Sequence, residues 1–393
     1  MGYLDAQEGD AERTAFRRAE KRYKFYKHSS TSARSIKHRE SVPPTDLSDV
    51  IDFRKIRHLG FSTESGIKMD DKNFQWPVFT MEQHPGFYFI PEALGIEEQM
   101  HWIKESLTTF PQPPNRTNHT AVYGPIFDLW NRAQKGESTV LPMKKKETHK
   151  HCPIPRTPFL DHLSPISTEI DCANGLSDLS ETTSDNTPDN ESNKNSADGK
   201  SYIDANGAIS GEQQHSTSIP LSVLLRKLRW ATLGLQFDWS KRAYDLSLPY
   251  NKMPQKLCDL ASKLAEPAMP DSEFHAEAAI VNYFGQDDML GGHLDDMEKD
   301  WSKPIVSISF GCKAIFLLGG PTREHKPTAM FLRSGDVVLM AGPARGCFHG
   351  VPRIFVDPKQ ADLPDFSTCD PSCKTFIDYI NRSRINLNIR QVF

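Results

Sequence analysis

Apolar and polar positions change their rhythm along this chain. From Ala278 to the C-terminus the pattern is one of short strands, at 278–284, 304–310, 313–318, 328–332, 335–340, 349–354 and 384–392, separated by turns that contain Gly, Pro and Asp. Many short strands without long intervening helices predict a double-sheet barrel of the jelly-roll type. The class is mainly β with flanking helices (α+β). Upstream the period is helical in three places. Residues 10–28 carry Phe16, Tyr23 and Phe25 or Tyr26 among Arg and Lys. Residues 95–109 place Met100, Ile103 and Leu107 on one face, and Pro254 to Leu264 forms a shorter helix. Strands are expected at 85–90 and 228–234, and a short helix at 377–381 precedes the last strand.

One stretch has no such rhythm. Residues 165–215 are rich in Ser, Asn, Asp and Gly and poor in aromatics. Such a composition buries too little apolar area to offset the entropy of ordering and predicts disorder. The organisation expected is therefore a basic helix and linker (1–45), an extension packing on the core (46–134), an acidic low-complexity insert (135–220) and a strand-rich core domain (221–393). The insert also changes the reading of charge. Of the net −4, residues 165–215 carry −8 (ten acids, two lysines), leaving about +4 elsewhere. Residues 13–39 hold ten Lys or Arg and one acid, Glu20, and Lys144, Lys145, Lys146 and Lys150 form a second basic cluster. Such clusters suit a polyanionic partner or a solvated face equally well. The N-terminal helix reads as a transit peptide, a docking helix or an RNA-contacting arm. Asp5, Glu8, Asp10 and Glu12 count against an ordinary mitochondrial presequence.

Seven scattered cysteines, at 152, 172, 258, 312, 347, 369 and 373, argue against a disulfide framework and for a reducing, intracellular compartment. Cys369 and Cys373 read as free loop thiols. No run approaches the roughly 18 apolar residues that cross a bilayer, so no membrane span is expected. A monomer in nucleus, cytoplasm or mitochondrion fits these features.

The candidate chemistry lies in the strand-rich third. His293-Leu294-Asp295, followed by His349, offers two imidazoles and a carboxylate, the donor set that holds Fe(II) on one face and leaves the other open. On a strand, residues i and i+2 share a face, so His293 and Asp295 are expected to point the same way. In the last segment Arg384, Asn386, Asn388 and Arg390 share one face, and Ile385, Leu387 and Ile389 the other. Two arginines on one polar face suit a small dicarboxylate such as 2-oxoglutarate, because guanidinium meets carboxylate with paired hydrogen bonds. Asp296 and Glu298 are candidates for contacts in a substrate pocket, or for a solvated acidic loop with Asp300.

From Asn282 to Phe393 the chain resembles the AlkB family of Fe(II)- and 2-oxoglutarate-dependent dioxygenases. The likeness rests on Asn282 ahead of the metal motif, Gly335-Asp336, Arg345 four residues before His349, and the closing Arg384-x-Asn386-x3-Arg390. Ser302-Lys303-Pro304, residues 314–320, residues 327–331, Leu228-Arg229-Trp230 and Pro85-Gly86-Phe87 resemble the branch of the first animal homologue. So do Asp46-Leu47 and residues 50–53. The resemblance implies a double-stranded β-helix with Fe(II) on His293, Asp295 and His349. Arg384 would pair with the distal carboxylate of 2-oxoglutarate. Arg390 would lie near the carboxylate that chelates iron, helped by Asn282 and Asn386. Dioxygen completes the set. One position departs from the family: where it usually has Tyr two residues after the Asn, this chain has Phe284, and neighbouring Tyr283 should face the other way.

The activity implied is oxidative demethylation of an N-methylated base, with N1-methyladenosine in tRNA foremost and DNA also a substrate, releasing formaldehyde, succinate and CO2. Two alternatives share the fold: a hydroxylase or demethylase of protein side chains, and an inactive nucleic-acid-binding barrel.

Overall fold

Alternation in the strand-rich third leaves nearly every strand buried on both faces, so two layers of packing are required. The computed structural model describes residues 13–24, 45–59, 66–142, 216–238 and 241–393. In chain order its strands are β1 (Ile67–Asp70), β2 (Val78–Met81), β3 (Phe87–Ile90), β4 (Ser138–Pro142), β5 (Ser216–Pro220), β6 (Trp230–Gly234), β7 (Phe237–Asp238), β8 (Ala243–Tyr244), β9 (Ala278–Phe284), β10 (Leu290–His293), β11 (Ile305–Gly311), β12 (Ala314–Leu318), β13 (Thr328–Leu332), β14 (Val337–Met340), β15 (His349–Ile354) and β16 (Arg384–Arg390). The helices that pack on them are α1 (Ala15–Tyr23), α2 (Phe53–Leu59), α3 (Ile96–Thr108), α4 (Leu129–Gln134), α5 (Leu221–Arg226), α6 (Gln255–Ala265) and α7 (Lys374–Ile380).

The larger sheet runs β1-β2-β3-β14-β11-β16-β9-β6 and the smaller β10-β15-β12-β13. Side chains that alternate along each strand feed two cores. Phe284, Ile305, Val338 and Met340 of the larger sheet meet Leu290, Phe316, Leu332 and Val351 of the smaller, so the sheets pack face to face. The opposite face of the larger sheet, including Val281, Tyr283, Ile308, Ile385, Leu387 and Ile389, is covered by residues of α3 to α7. Tyr283 and Phe284 thus point to opposite sides, as strand alternation requires, and the Tyr283 hydroxyl donates to the Ser106 carbonyl at 2.5 Å.

The outer face of the smaller sheet, Ile315, Leu317 and Ala329, is covered by Phe16 and Tyr23 of α1 together with Val50. The extension at 45–59 is tied to the core by Asp52 on Arg333 at 2.7 Å, Arg54 on buried Asp336 at 2.8 Å, and a strand-like bridge from Ile51 to Met330. The insert expected over 135–220 is entered by regular structure from both sides. β4 and β5 pair antiparallel, Ser138 opposite Pro220 and Pro142 opposite Ser216. The segment expected to be disordered, 165–215, lies outside the described residues, as do Lys144 to Lys150. Among the described residues no helix is long and apolar enough to cross a membrane.

Candidate metal centre and co-substrate cavity

His293 ends β10 and His349 begins β15, and the strand register sets them opposite each other with ring centroids 4.4 Å apart. Asp295 does not sit on the strand, contrary to the expectation of a shared strand face. Since β15 starts at His349, the residues after His293 have no partner to pair with, and the chain leaves the sheet. Asp295 reaches back from a loop whose position is set by guanidinium groups instead. Arg345 donates to the Asp295 carbonyl at 3.1 Å, and Arg390 meets the Asp295 carboxylate at 2.9 Å. The result still converges. Among the described residues one cluster of His, Cys, Asp or Glu could hold a metal ion, and it is His293, Asp295 and His349, with ligand atoms within 4.8 Å of one another. Cys258, Cys312, Cys347, Cys369 and Cys373 are free thiols.

The protonation states suit a divalent cation. Nδ1 of His293 lies 2.9 Å from the Gly291 carbonyl, and Nδ1 of His349 lies 3.2 Å from that of Cys347. A carbonyl only accepts, so each Nδ1 carries a proton, which in the neutral ring leaves the Nε2 lone pair free for a metal. Those Nε2 atoms stand 3.8 and 3.7 Å from the Asp295 oxygens. Burial, aided by His349, pushes the His293 pKa down to about 4, which keeps the ring neutral near pH 7. Burial of Asp295 works against its charge, but Arg390 together with His349 and His293 outweighs it and holds the carboxyl well below the usual range. Two imidazole nitrogens and one carboxylate, all buried, fit Fe(II).

Beside these three lies a cavity lined by Asn282, Ser307, Phe316, Arg384, Asn386 and Asn388 among others. Arg384 is buried, and only Nη2 is engaged in a hydrogen bond, to Ser309 Oγ at 2.9 Å. Nε and Nη1 have none. Burial pulls its pKa down to about 10, the mark of a cation without a counter-charge. A buried guanidinium short of an anion is what a carboxylate ligand would complete. Asn386 donates to Ser307 Oγ at 2.8 Å and to the Ile308 carbonyl at 3.1 Å, and sits opposite Asn282 in the register of β16 on β9. The ring of Phe284, opposite Arg384, lies 5.3 Å beneath its guanidinium.

Arg390 is bonded to the candidate ligand Asp295 and is not among the residues that line this cavity. Its Nη2 pairs with Asp295 and its Nε lies 2.9 Å from Glu298, away from the residues that line the cavity. Glu298, read as a pocket contact or part of a solvated loop, is neither. It is buried between Arg390 and Arg345, each at 2.9 Å, with the Tyr244 hydroxyl at 3.3 Å. Asp296 remains partly exposed, 3.7 Å from Arg242. The supporting roles of Glu298, Tyr244, Ser307 and Ser309 carried no sequence signal, because each depends on a contact between distant segments.

The comparisons with known proteins bear on this geometry. Residues 190–390 match the model of the 2OG-Fe(II) oxygenase superfamily. The chain is 47% identical, over 98% of its length and 97% of the relative's, to the Arabidopsis thaliana protein named DNA N(6)-methyladenine demethylase ALKBH1A. This chain is an AlkB-family 2OG-Fe(II) oxygenase. It is also 29% identical to the human nucleic acid dioxygenase ALKBH1, over 90% of this chain and 82% of that one. It is 28% identical to the Schizosaccharomyces pombe tRNA demethylase abh1, over 96% and 95%. An AlkB-family dioxygenase works with Fe(II), 2-oxoglutarate and O2. His293 and His349, the ionised Asp295 and the unsatisfied Arg384 are the groups of this chain whose chemistry fits those requirements.

Proposed function

We propose that this oxygenase removes N-linked methyl groups from nucleic-acid bases, with N1-methyladenosine in tRNA as its principal substrate. The observation that carries the reading is a His-Asp-His donor set whose two histidines line one cavity with a buried arginine short of its anion. Of the eight strands β9 to β16, β9, β11, β14 and β16 lie in the larger sheet and β10, β12, β13 and β15 in the smaller, an order consistent with a double-stranded β-helix, the scaffold inferred for this chemistry.

In this reading His293, Asp295 and His349 bind the iron, and Arg384 receives the distal carboxylate of 2-oxoglutarate through Nε and Nη1. Asn282 and Asn386 flank the rest of that molecule. Arg390 favours the ionised Asp295 carboxylate and Arg345 holds its backbone carbonyl, and Arg390 Nη1, which has no hydrogen bond, is available for a contact with the inner carboxylate. When bound, the iron and 2-oxoglutarate supply oxidation of the methyl carbon, with release of succinate and CO2. The hydroxymethyl product then leaves as formaldehyde. The chain's own contribution is to bind, orient and exclude water. A stacked base cannot enter a cavity between two sheets, so the target must be unpaired or flipped out.

A second reading, N6-methyladenine in DNA, is favoured by the name of the 47% identical relative. Incubation with matched RNA and DNA oligonucleotides, each bearing one methylated adenine, separates the two by rate of formaldehyde release. A methylated histone peptide turned over in preference to both would replace the nucleic-acid reading with that of a protein hydroxylase.

A further inference from the structure

Glu20 is the one acid among ten basic residues at 13–39, and it is 1% exposed. A carboxylate is buried only where its partners offset the desolvation. Here one oxygen lies 2.8 Å from Arg17 Nη1, and the other accepts the backbone N–H of Gly292 at 2.5 Å. Gly292 is the residue before His293. It lies on β10, the edge strand of the smaller sheet, where no strand among the described residues answers its outer side.

The other half of Gly292 is held as well. Arg323 Nη2 donates to its carbonyl at 2.5 Å, and the Arg323 carbonyl in turn accepts from the Phe16 N–H at 2.9 Å. The Phe16 ring packs so closely on Gly292 and Gly319 that a Cβ at either position would overlap it. Phe16 also lies 6.4 Å from Phe348, the residue before His349, and the Arg323 guanidinium stacks on that same ring at 4.6 Å. The residue preceding each histidine is therefore gripped by α1 or by the arginine bonded to it.

We propose that α1 is a positioning element of the metal centre. Glu20 takes the place of a missing strand beside β10, fixing Gly292 and, through it, the direction of the His293 ring. This rests on the reading of His293 as an iron ligand. It also assigns the buried face of α1 to the core, leaving only its outer face for any partner.

The test uses the full chain and Co(II), without co-substrate, read by titration calorimetry and by the visible absorption of the bound ion. Glu20→Ala removes the acceptor and is expected to weaken Co(II) binding about 10-fold or more, the range seen when outer groups that orient metal ligands are removed. Glu20→Gln keeps an acceptor oxygen and is expected to stay within about 3-fold of the parent, since the hydrogen bond survives without the charge. Arg18→Ala, on the exposed outer face of α1, should leave Co(II) binding unchanged. A merely structural helix would lower the melting temperature of the metal-free protein while affinity and spectrum held. Equal affinity in Glu20→Ala and parent, or equal losses in Glu20→Ala and Glu20→Gln, overturns the proposal. Should Glu20→Ala not fold, Arg323→Ala, which frees the Gly292 carbonyl, is expected to show the same loss, and an unchanged affinity overturns the proposal in its place. His293→Ala separates the two levels. If it binds Co(II) as the parent does, the ligand assignment itself fails.

Discussion

At the scale of single residues, the site is governed by unsatisfied charge. Arg384 is buried with two nitrogens unpartnered, whereas Arg390 is paired with two carboxylates, so the two arginines that look alike in sequence do different work. Phe284, a position where the resemblance leads us to expect Tyr, has its ring under Arg384 without a polar group to offer. Phe284→Tyr is expected to lower the KM for 2-oxoglutarate several-fold, because a hydrogen bond to a charged group is worth roughly 1.5–3 kcal/mol. An unchanged KM would mean that another donor already serves that carboxylate. A pH effect belongs here too. His119 and His293 are both pushed by burial to a pKa of about 4. Between about pH 6.5 and 4 the unfolded chain binds more protons than the folded one, so metal-free stability rises with pH across that window and is lost as pH falls through it. Each histidine contributes up to on the order of 3 kcal/mol. Urea midpoints at pH 4.5 and 7 check this, and equal midpoints would contradict it.

At the scale of elements, the strands from Ala278 onward were legible because their apolar positions alternate without interruption. Observed bounds fall within a residue or two of the expected ones from β9 to β15, apart from β10. That strand, with two glycines and its edge position, has no such alternation, and β1, β2 and α2 are too short to show a period. The polar face of β16 was also legible from local spacing, and the His-Asp-His set from its donor types, although Asp295 does not share a strand with His293. What could not be read was the end of β10 at His293 and the pairing of Arg390, because both are fixed by residues 50 to 100 positions away. The helix at the N-terminus was visible, yet its docking face was not. The β4–β5 pairing supplies a prediction. It brings residues 142 and 216 side by side, so the chain between them leaves and returns at one point. Deleting residues 165–215 is expected to leave 2-oxoglutarate turnover unchanged, and a folded deletion variant without turnover would contradict that.

At the scale of the whole molecule, the larger sheet is sealed by α3 to α7 and the smaller by α1 and the 45–59 extension, so the site lies between two supported layers. Basic residues on the outer face of α1, Arg18, Arg22 and Lys24, remain exposed although Arg22 also pairs with Asp49 at 2.8 Å. If these track a phosphate backbone, tRNA binding should weaken steeply with salt. Replacing all three with Ala should flatten the log–log slope by roughly 0.7–0.9 for each phosphate no longer neutralised, without touching Glu20 or turnover of 2-oxoglutarate. A slope unchanged by the triple variant would place the nucleic acid elsewhere. The central claim is that the cavity beside His293, Asp295 and His349 couples 2-oxoglutarate to demethylation of a nucleic-acid base. It is tested most directly by measuring formaldehyde and succinate together from an oligonucleotide bearing N1-methyladenosine, for the parent and for Asp295→Ala. The account predicts equal amounts of the two products from the parent and neither from the folded variant. Formaldehyde release that persists in Asp295→Ala, or succinate from the parent with no formaldehyde from any methylated nucleic acid, would contradict it.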